Sequence, residues 1–518
     1  MLELLNVKFS YRADGRTFSI STKRSVSNRR TALDISTDGD IFTAKLRSNS
    51  PVEIIRLSAE FAYDFHNDDR IFLNGYQSAT PSRELSVKSI MYSPLRRDRQ
   101  NRMCGDYGFT SYPHEKGALH GFTYGYINSP GEFTFIGSLA EKSGFTLIGT
   151  RTQYNKVIVE KDCKGLIIDG EYEGLKLFIA EVLPDEGFDR YAEHLGVMPM
   201  TDKKIKACPI SLTEESTADS IAADIERCSN ESYVPDAVCI GGDSVSISDD
   251  ILSLAAEKIK NSGYIPGISF APFICRSDSE IYAEHPECVL HDKDGAPVTA
   301  GKSTEYIFNI YNEDAREYIR NRIEKYTRDF GFSFLRLEKL YTACVCPGKH
   351  RTRGSVMADA ADLLRKSASE AFILACDVPL ASVFGIADYC CINSGKAVRL
   401  DDISPLQRKI IVRNDLLSAV YRRQLSGRMF INDTGAVSFA SRELTNEQKK
   451  NISMINALAG GVTFITEQVS ALSADELAQM ADADKLSAYG ISSALYRKNM
   501  LRLYITNGEQ GEIKRINI

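Results

Sequence analysis

The chain has 518 residues, of which 43% are hydrophobic and 25% are charged. This length is too great for one hydrophobic core and predicts two or three domains, while the composition is that of an ordinary globular protein. The formal net charge of −6 provides no basic surface for nucleic acid or for an anionic membrane. No run of about 18 apolar residues would span a bilayer. We therefore expect neither a nucleic acid nor a membrane as partner.

The cysteines and the first residues indicate a cytoplasmic protein. The twelve cysteines lack the spacing of a disulfide framework, which is typical of reduced thiols. The chain starts without a basic stretch followed by an apolar one, so we expect no export signal. Cys344 and Cys346 with His350, and the adjacent Cys390 and Cys391, are the only clustered metal-ligand types. A structural zinc site needs four ligands, so the sequence implies no metal, and it implies no organic cofactor.

Residues 1–185 consist of short alternating runs separated by Gly, Asn, Asp and Ser. Residues 43–47, 122–126 and 156–160 each place apolar side chains at every second position. Period-two patterning with frequent turns predicts an N-terminal antiparallel β-sandwich.

From residue 203 to residue 468, strand patterns alternate with helix patterns. Eight strand candidates lie at 205–208, 237–240, 264–270, 333–338, 371–375, 387–392, 429–432 and 462–465. A helix is predicted at 249–261, and Asn312 is placed to cap another helix just before the strand at 333–338. Eight such units over about 265 residues predict a closed (β/α)₈ TIM barrel, an α/β fold. Residues 469–518 predict a small C-terminal β-domain.

The strand at 333–338 ends by presenting one carboxylate, Glu338, between the cations Arg336 and Lys339. Barrel enzymes carry their chemistry at the carboxyl ends of the strands, so Glu338 is a candidate nucleophile. The alternative is an ion pair between Glu338 and a neighbouring cation. The residues alone leave both interpretations open.

Several segments between about residues 71 and 468 share one known pattern, in the same order. They are 74–78 (Asn-Gly-Tyr-Gln-Ser), 264–273 (Tyr-Ile-Pro-Gly-Ile-Ser-Phe-Ala-Pro-Phe), 284–286 (Glu-His-Pro), 291–295 (His-Asp-Lys-Asp-Gly), 312–341, 376–389 and 431–433 (Ile-Asn-Asp). Together they resemble family 36 of the glycoside hydrolases, the bacterial α-galactosidases. The resemblance implies a β-sandwich, a central barrel and a C-terminal β-domain. It also implies an α-galactoside or another sugar as ligand, and a homo-oligomer, because members often associate.

The family hydrolyses terminal α-galactosides with retention, using an aspartate nucleophile and an aspartate acid/base about sixty residues later. A retaining mechanism needs two carboxyl groups about 5 to 5.5 Å apart. In this chain Glu338 stands at the nucleophile position, and its extra methylene displaces the attacking oxygen. A displacement of about 1 Å can cost about 10²-fold in rate. Gly395 stands where the acid/base is expected, and losing a positioned acid costs about 10²- to 10⁴-fold.

Other positions of the family pocket also differ. The family's Ile-Asp-Asp-Gly-Trp becomes Ile-Gly-Gly-Asp-Ser at 240–244, its Asp-Pro-Asp becomes Asp-Thr-Gly at 433–435, and the chain contains no tryptophan. The resemblance implies sugar-binding roles for Arg336, Asp243, Asp433 and Tyr341, with a structural role as the alternative for Asp433. Asp377 stands where the family tends to have glycine. It is either a relocated acid or an exposed loop aspartate.

The sequence therefore predicts an α-galactosidase-like protein whose hydrolase activity is lost or very low, kept as a sugar-binding or partner protein. The first alternative is an active retaining α-glycosidase of altered specificity, with Glu338 as nucleophile and Asp377 as acid. The second is a conventional α-galactosidase in which a rearranged loop supplies a carboxylate near Gly395.

Overall fold

The computed structural model describes residues 2–92, 111–198, 204–231, 233–241, 247–301, 303–395, 404–435, 441, 444–465 and 467–518. The chain divides into two compact units that interleave in sequence. The first unit comprises Met1–Tyr76, Ser82–Met198 and Tyr341–Ala361, and the second comprises Gln77–Pro81, Pro199–Leu340 and Asp362–Ile518. None of the described helices is long and apolar enough to cross a membrane. The division of the chain at residues 185, 203 and 468 stays a prediction.

The described part of the first unit contains one 13-stranded antiparallel sheet. Its strands are β1 (Glu3–Ala13), β2 (Arg16–Thr22), β3 (Val26–Ser27), β4 (Thr31–Asp38), β5 (Ile41–Ala62), β6 (Arg70–Leu73), β7 (Glu84–Ser86), β8 (Ala118–Phe122), β9 (Tyr124–Ser129), β10 (Glu132–Ser138), β11 (Thr146–Arg151), β12 (Lys156–Lys161) and β13 (Ile167–Glu181). The long strand β5 pairs with β4 and β13 in its first half and with β1 and β12 in its second. Alternate residues such as Val7, Phe9 and Leu57 enter a common core. The predicted sandwich is confirmed as a sandwich-like antiparallel sheet.

The second unit contains a closed barrel of eight parallel strands among the described residues. These strands are β14 (Ile205–Ile210), β15 (Ala237–Ile240), β16 (Ile265–Phe270), β19 (Phe334–Leu337), β20 (Phe372–Ala375), β21 (Tyr389–Cys391), β22 (Ile431–Asp433) and β23 (Val462–Phe464). Pairing of Ile205 with Val462 closes the ring. Between β16 and β19 lies a small antiparallel pair, β17 (Ile274–Arg276) and β18 (Glu305–Ile307). The predicted (β/α)₈ barrel is confirmed.

Helices separate most of the barrel strands. The α-helices of the described chain are Pro184–Leu195, Ala218–Glu226, Asp249–Asn261, Glu280–Glu284, Glu313–Glu324, Arg353–Ala368, Pro405–Tyr421, Asn446–Ala459 and Ala474–Lys485. The Asn312 side chain accepts a hydrogen bond from the Ala315 N–H and caps its helix, as predicted. A three-stranded antiparallel sheet, β24 (Gly490–Arg497), β25 (Met500–Asn507) and β26 (Gln510–Asn517), ends the chain. It confirms the predicted β-rich C-terminal segment.

Strand periodicity determines which side chains of β19 lie inside the barrel. Phe334 belongs to the interior cluster, together with Leu374 of β20 and Tyr389 of β21. Alternate residues of a strand share a face, so Arg336 lies on the inner face, and Glu338 lies on the same side just beyond the strand. The interior therefore changes from apolar to charged towards the carboxyl ends of the strands.

Candidate active site

The carboxylate of Glu338 lies at the carboxyl end of β19, where two side chains hold it. The Ser269 hydroxyl donates a hydrogen bond to Oε1 of Glu338 at 3.0 Å, and the Arg336 Nε lies 3.5 Å from the same oxygen. The Glu338 N–H donates to the Phe270 carbonyl at 2.9 Å. The Glu338 side chain is still 41% exposed. The ion pair expected as one interpretation of Glu338 is thus present, and the carboxylate also remains open to solvent.

Arg336 is the central cation of the barrel mouth. Its side chain is only 17% exposed, and its guanidinium carbon lies 4.8 Å from the ring centre of Phe464. Burial acts to lower the pKa of Arg336, but Cys376, Glu338 and the buried Asp433 outweigh it and raise that pKa above its ordinary value. The positive charge of Arg336 therefore compensates the carboxylates of both Glu338 and Asp433.

Asp433 ends β22 and is 1% exposed. Its Oδ1 accepts a hydrogen bond from the Gly435 N–H at 2.8 Å. Burial raises the pKa of Asp433, and the attraction of Arg336 together with the Gly435 hydrogen bond offsets part of this shift. Asp433 is therefore a buried carboxyl group that accepts a hydrogen bond from the Gly435 N–H and is attracted by the charge of Arg336.

Two strained residues follow β19 and β20. Lys339 and Asp377 have φ values of +53° and +50°, a left-handed conformation that costs residues with a Cβ about 1 to 2 kcal/mol. The Lys339 N–H lies 3.4 Å from Oδ2 of Asp377, and the Lys339 ammonium donates to Glu305 at 2.6 Å. Asp377 is half-buried. Backbone strain of this kind concentrates at functional sites, and here it brings Asp377 close to the chain that carries Glu338.

Gly395 offers no side chain at the position where the resemblance implies an acid. Its φ is +60°, and an added Cβ would lie 3.3 Å from the Cys391 Sγ. The Gly395 N–H donates to Oδ1 of Asn393 at 3.0 Å, and the Asn393 amide nitrogen donates to the Thr434 carbonyl. The loop after β21 is therefore tied to the loop after β22 by an amide and carries no carboxylate at residue 395.

The segment Gln77–Pro81 belongs to the second unit although it is distant in sequence. The Ser78 N–H and hydroxyl both donate to the Val378 carbonyl, at 3.0 and 3.2 Å. The fully buried Arg422 donates to the carbonyls of Gln77, Ser78 and Thr80 and to that of Ile392. Ser78 belongs to a sequence motif that could have identified it. Ser269 lies in the quoted segment 264–273 and could have been identified in the same way, whereas Asn393 and Arg422 gave no such signal.

The other predicted residues are not among the contacts given above. Asp243 lies outside the described residues. Tyr341 belongs to the first unit, where it is buried. Asp388, which directly precedes β21, pairs with Arg365 at 3.1 Å and accepts a hydrogen bond from the Ile373 N–H at 2.8 Å. The sugar-binding roles of Asp243, Tyr341, Arg336 and Asp433 stay predictions.

Thiols surround Arg336, but they are poor nucleophiles. Burial raises the pKa of the Cys239 thiol to about 12. A hydrogen bond with Cys376, together with burial, raises the pKa of Cys391 well above its ordinary value. Because the thiolate is the reactive form, neither group is activated at neutral pH. Every described cysteine is a free thiol, and Cys104 lies outside the described residues.

One group of side chains among the described residues could hold a metal ion. The Nδ1 of His285 lies 3.6 Å from Oε1 of Glu287 and 3.6 Å from Oδ2 of Asp314. These side chains come from the chain between β17 and β18 and from the start of the helix Glu313–Glu324. They include none of the barrel-mouth residues described above.

No family model matches the sequence, but solved structures match nearly the whole chain. The α-galactosidase TtGalA from Thermus thermophilus, in complex with p-nitrophenyl α-D-galactopyranoside, is similar with a TM-score of 0.68 at 19% identity, covering 99% of this chain and 98% of its own. A variant of the glycoside hydrolase family 36 α-galactosidase AgaA from Geobacillus stearothermophilus, in complex with 1-deoxygalactonojirimycin, has a TM-score of 0.62 at 10% identity, covering 98% and 80%. AgaB from the same organism has a TM-score of 0.61 at 10% identity and the same coverage. The chain thus has the fold of family 36 α-galactosidases.

Proposed function

We propose that this protein is an α-galactosidase-like carbohydrate-related protein in which glycoside hydrolysis is lost or very slow. The observation that carries the proposal is Gly395, where the position expected for the acid/base has no side chain and the loop is held by Asn393. Protonation of the leaving oxygen is the step that this residue would perform. Without it, departure of an unactivated alcohol loses about 10²- to 10⁴-fold in rate.

The surroundings of Glu338, at the nucleophile position, also support slow hydrolysis. The carboxylate of Glu338 is engaged by Ser269 and Arg336, and it is one methylene longer than the aspartate of the family. The Ser269 hydroxyl donates to Oε1 and the Arg336 guanidinium lies 3.5 Å from it, so the negative charge of that oxygen is partly compensated and its nucleophilicity is lowered. The open part of Glu338 supports retained binding of a sugar at the barrel mouth. The ligands of the similar structures, p-nitrophenyl α-D-galactopyranoside and 1-deoxygalactonojirimycin, are the first candidates.

The alternative is an active retaining α-glycosidase of altered specificity that uses Asp377 as acid. The 3.4 Å separation between the Lys339 N–H and the Asp377 carboxylate favours it, because this carboxylate lies beside the chain carrying Glu338. The strained φ of Asp377 also favours it, since a glycine would fit that conformation without cost.

The leaving-group dependence of hydrolysis distinguishes these functions. A 2,4-dinitrophenolate departs without protonation, whereas methanol requires an acid. We expect no turnover of methyl α-galactoside, slow release of dinitrophenolate from its aryl galactoside, and loss of that release in Glu338→Gln. If Asp377 is the acid, Asp377→Asn will reduce turnover of the methyl glycoside and spare the dinitrophenyl substrate.

Ligand binding tests the non-catalytic part of the proposal. We expect 1-deoxygalactonojirimycin to raise the melting temperature of the wild-type protein and to raise that of Glu338→Gln less. Turnover of p-nitrophenyl α-galactoside at about 1 to 10³ per second would overturn the proposed loss of activity. Absence of any stabilisation by sugars would instead favour a protein partner.

The cellular location and the assembly state are also proposals. The free thiols of the described cysteines support a reducing, cytoplasmic location. The family resemblance supports a homo-oligomer, which analytical ultracentrifugation would test.

A further inference from the structure

A pocket of about 230 Å³ lies between the helix Pro405–Tyr421, the helix Asn446–Ala459 and the C-terminal sheet. All of these elements belong to the second unit. The lining contains none of the residues described at the barrel mouth. A volume of this size holds about seven water-sized groups, enough for a small ligand.

Two cations of one helix line this pocket. Lys409 and Arg413 are four residues apart and therefore lie on the same helix face. In the part of the chain that the structure describes, neither side chain forms a hydrogen bond or an ion pair, and the Arg413 Nε is buried without a partner. Like charges at this spacing destabilise a helix, and a buried donor without an acceptor adds a further cost. Both costs would be relieved by a bound anion.

Side-chain amides complete the polar part of the lining. Gln448 and Asn499 use their amide oxygens to accept bonds from the Thr445 N–H and the Tyr496 hydroxyl, which leaves their amide nitrogens as donors. Asn451, 9% exposed, contributes a third amide. No Asp or Glu side chain is among the lining residues that the structure describes. The side chains of the lining are therefore rich in donors and carry two positive charges, and Ile518 adds its terminal carboxylate as the one opposing charge of the described lining.

Apolar side chains and a fourth amide residue, Asn517, form the rest of the surface. Val412 and Leu416 are buried residues of the same helix face. Ile518 also lines the pocket, where its N–H donates to the Asn499 carbonyl at 3.0 Å. In the described part of the chain, Ile518 forms no ion pair with either cation. A ligand with a compact anionic end and a short organic part matches this division.

We propose that this pocket binds a small phosphate-bearing molecule, with the phosphate at Arg413 and Lys409. A guanidinium presents paired N–H donors that match phosphate oxygens, and an ammonium adds a point charge. The amides of Gln448, Asn451 and Asn499 contact the remaining oxygens or hydroxyls. This site is independent of the chemistry proposed for the barrel mouth.

Isothermal titration calorimetry with the full-length protein tests the proposal, using inorganic phosphate, glycerol 3-phosphate and acetate as probes. We expect glycerol 3-phosphate to bind more tightly than phosphate, and acetate to bind least. Arg413→Gln should weaken binding at least tenfold and Lys409→Gln severalfold. Lys409 is exposed, so its variant will fold even if Arg413→Gln is unstable.

Lys293→Gln is the matched control, because it removes one exposed positive charge elsewhere on the second unit. Its affinity should equal that of the wild type. Absence of binding at millimolar phosphate and glycerol 3-phosphate would overturn the proposal. Equal weakening by Lys293→Gln and Lys409→Gln would also overturn it, since it would indicate diffuse electrostatic attraction. If inorganic phosphate binds as tightly as glycerol 3-phosphate, the organic part of the proposed ligand is wrong.

Discussion

The Nε of Arg336 lies 3.5 Å from Oε1 of Glu338, and the same guanidinium compensates the buried carboxyl of Asp433. Arg336 belongs to β19, Glu338 directly follows that strand, and Asp433 ends β22. Removing the positive charge of Arg336 should therefore destabilise the protein, because that charge stabilises the carboxylates of both Glu338 and Asp433.

Replacing Arg336 with methionine should lower the free energy of unfolding by about 3 kcal/mol at neutral pH. The substitution leaves the buried Asp433 without the compensating charge of Arg336, and an uncompensated buried charge typically costs this much. Urea denaturation will measure the change. Arg328→Met is the control, because Arg328 is 72% exposed and pairs with Glu324 on the surface; a change below about 1 kcal/mol is expected there. Equal effects of the two variants would contradict a special role of Arg336.

The raised pKa of Asp433 predicts a pH-dependent effect of Asp433→Asn. Between the unfolded pKa, about 3.9, and the higher folded pKa, the native state binds more protons than the unfolded state. Wild-type stability from this group therefore falls as pH rises through that window. Because asparagine does not titrate, the variant's stability relative to the wild type should increase as pH rises. Urea denaturation across a pH series will measure the difference, and a pH-independent difference would show that Asp433 does not titrate there.

Gly395→Asp should restore acid catalysis if the loop after β21 retains its position. Aspartate tolerates a left-handed conformation better than most residues, although its Cβ would meet the Cys391 Sγ at 3.3 Å. In a Glu338→Asp background we expect hydrolysis of methyl α-galactoside, whose leaving group requires an acid, to rise by about 10²-fold or more. Gly395→Asn in the same background has a similar shape and no acid. A gain in both variants would reject the acid role.

The variant Asp377→Gly tests whether Asp377 is only a strained loop residue or also a catalytic acid. Glycine adopts the observed φ of +50° without steric cost, so the free energy of unfolding should rise by about 1 kcal/mol. Thermal and urea unfolding will measure this gain. If Asp377 is the relocated acid, the same substitution will abolish turnover of unactivated glycosides. A more stable variant with unchanged residual activity would assign Asp377 to the loop alone.

The first unit contains two buried ionisable side chains, Glu141 and Lys161, whose charges affect each other's pKa. Burial raises the pKa of Glu141 and lowers the pKa of Lys161, and each partner's charge opposes the other's shift. The Thr123 hydroxyl donates to Glu141 at 3.0 Å. Lys161→Met should be destabilising, because it leaves the buried Glu141 without a compensating charge, whereas Glu141→Gln combined with Lys161→Met should cost less than the sum of the single changes. Additive losses in urea denaturation would show that the pair is uncoupled.

The barrel strands and the helix capped by Asn312 could be predicted because their signals are local. A buried parallel strand is a short apolar run, and a helix start depends on one capping side chain and the residues just after it. The position of Glu338 followed from the same reasoning, since it ends such a run.

The partners within the candidate site could not be predicted in this way. Arg336 and Asp433 are far apart in sequence, and their interaction depends on barrel closure. The strained φ of Lys339 and the bonding of Asn393 across two loops also arise from tertiary packing that overrides local preference. Gly395 was the exception, because an absent side chain is evident without knowing the fold.

The fully buried Arg422 has a consequence for how the chain reaches its native state. Its guanidinium binds carbonyls of Gln77 and Ser78 that precede it by 345 and 344 residues. During synthesis, Gln77 and Ser78 can form these hydrogen bonds only after almost the whole barrel has emerged from the ribosome. Contacts of such long sequence separation slow folding. The second unit should therefore mature late, and a chain shortened by removing its first 81 residues should fail to complete it.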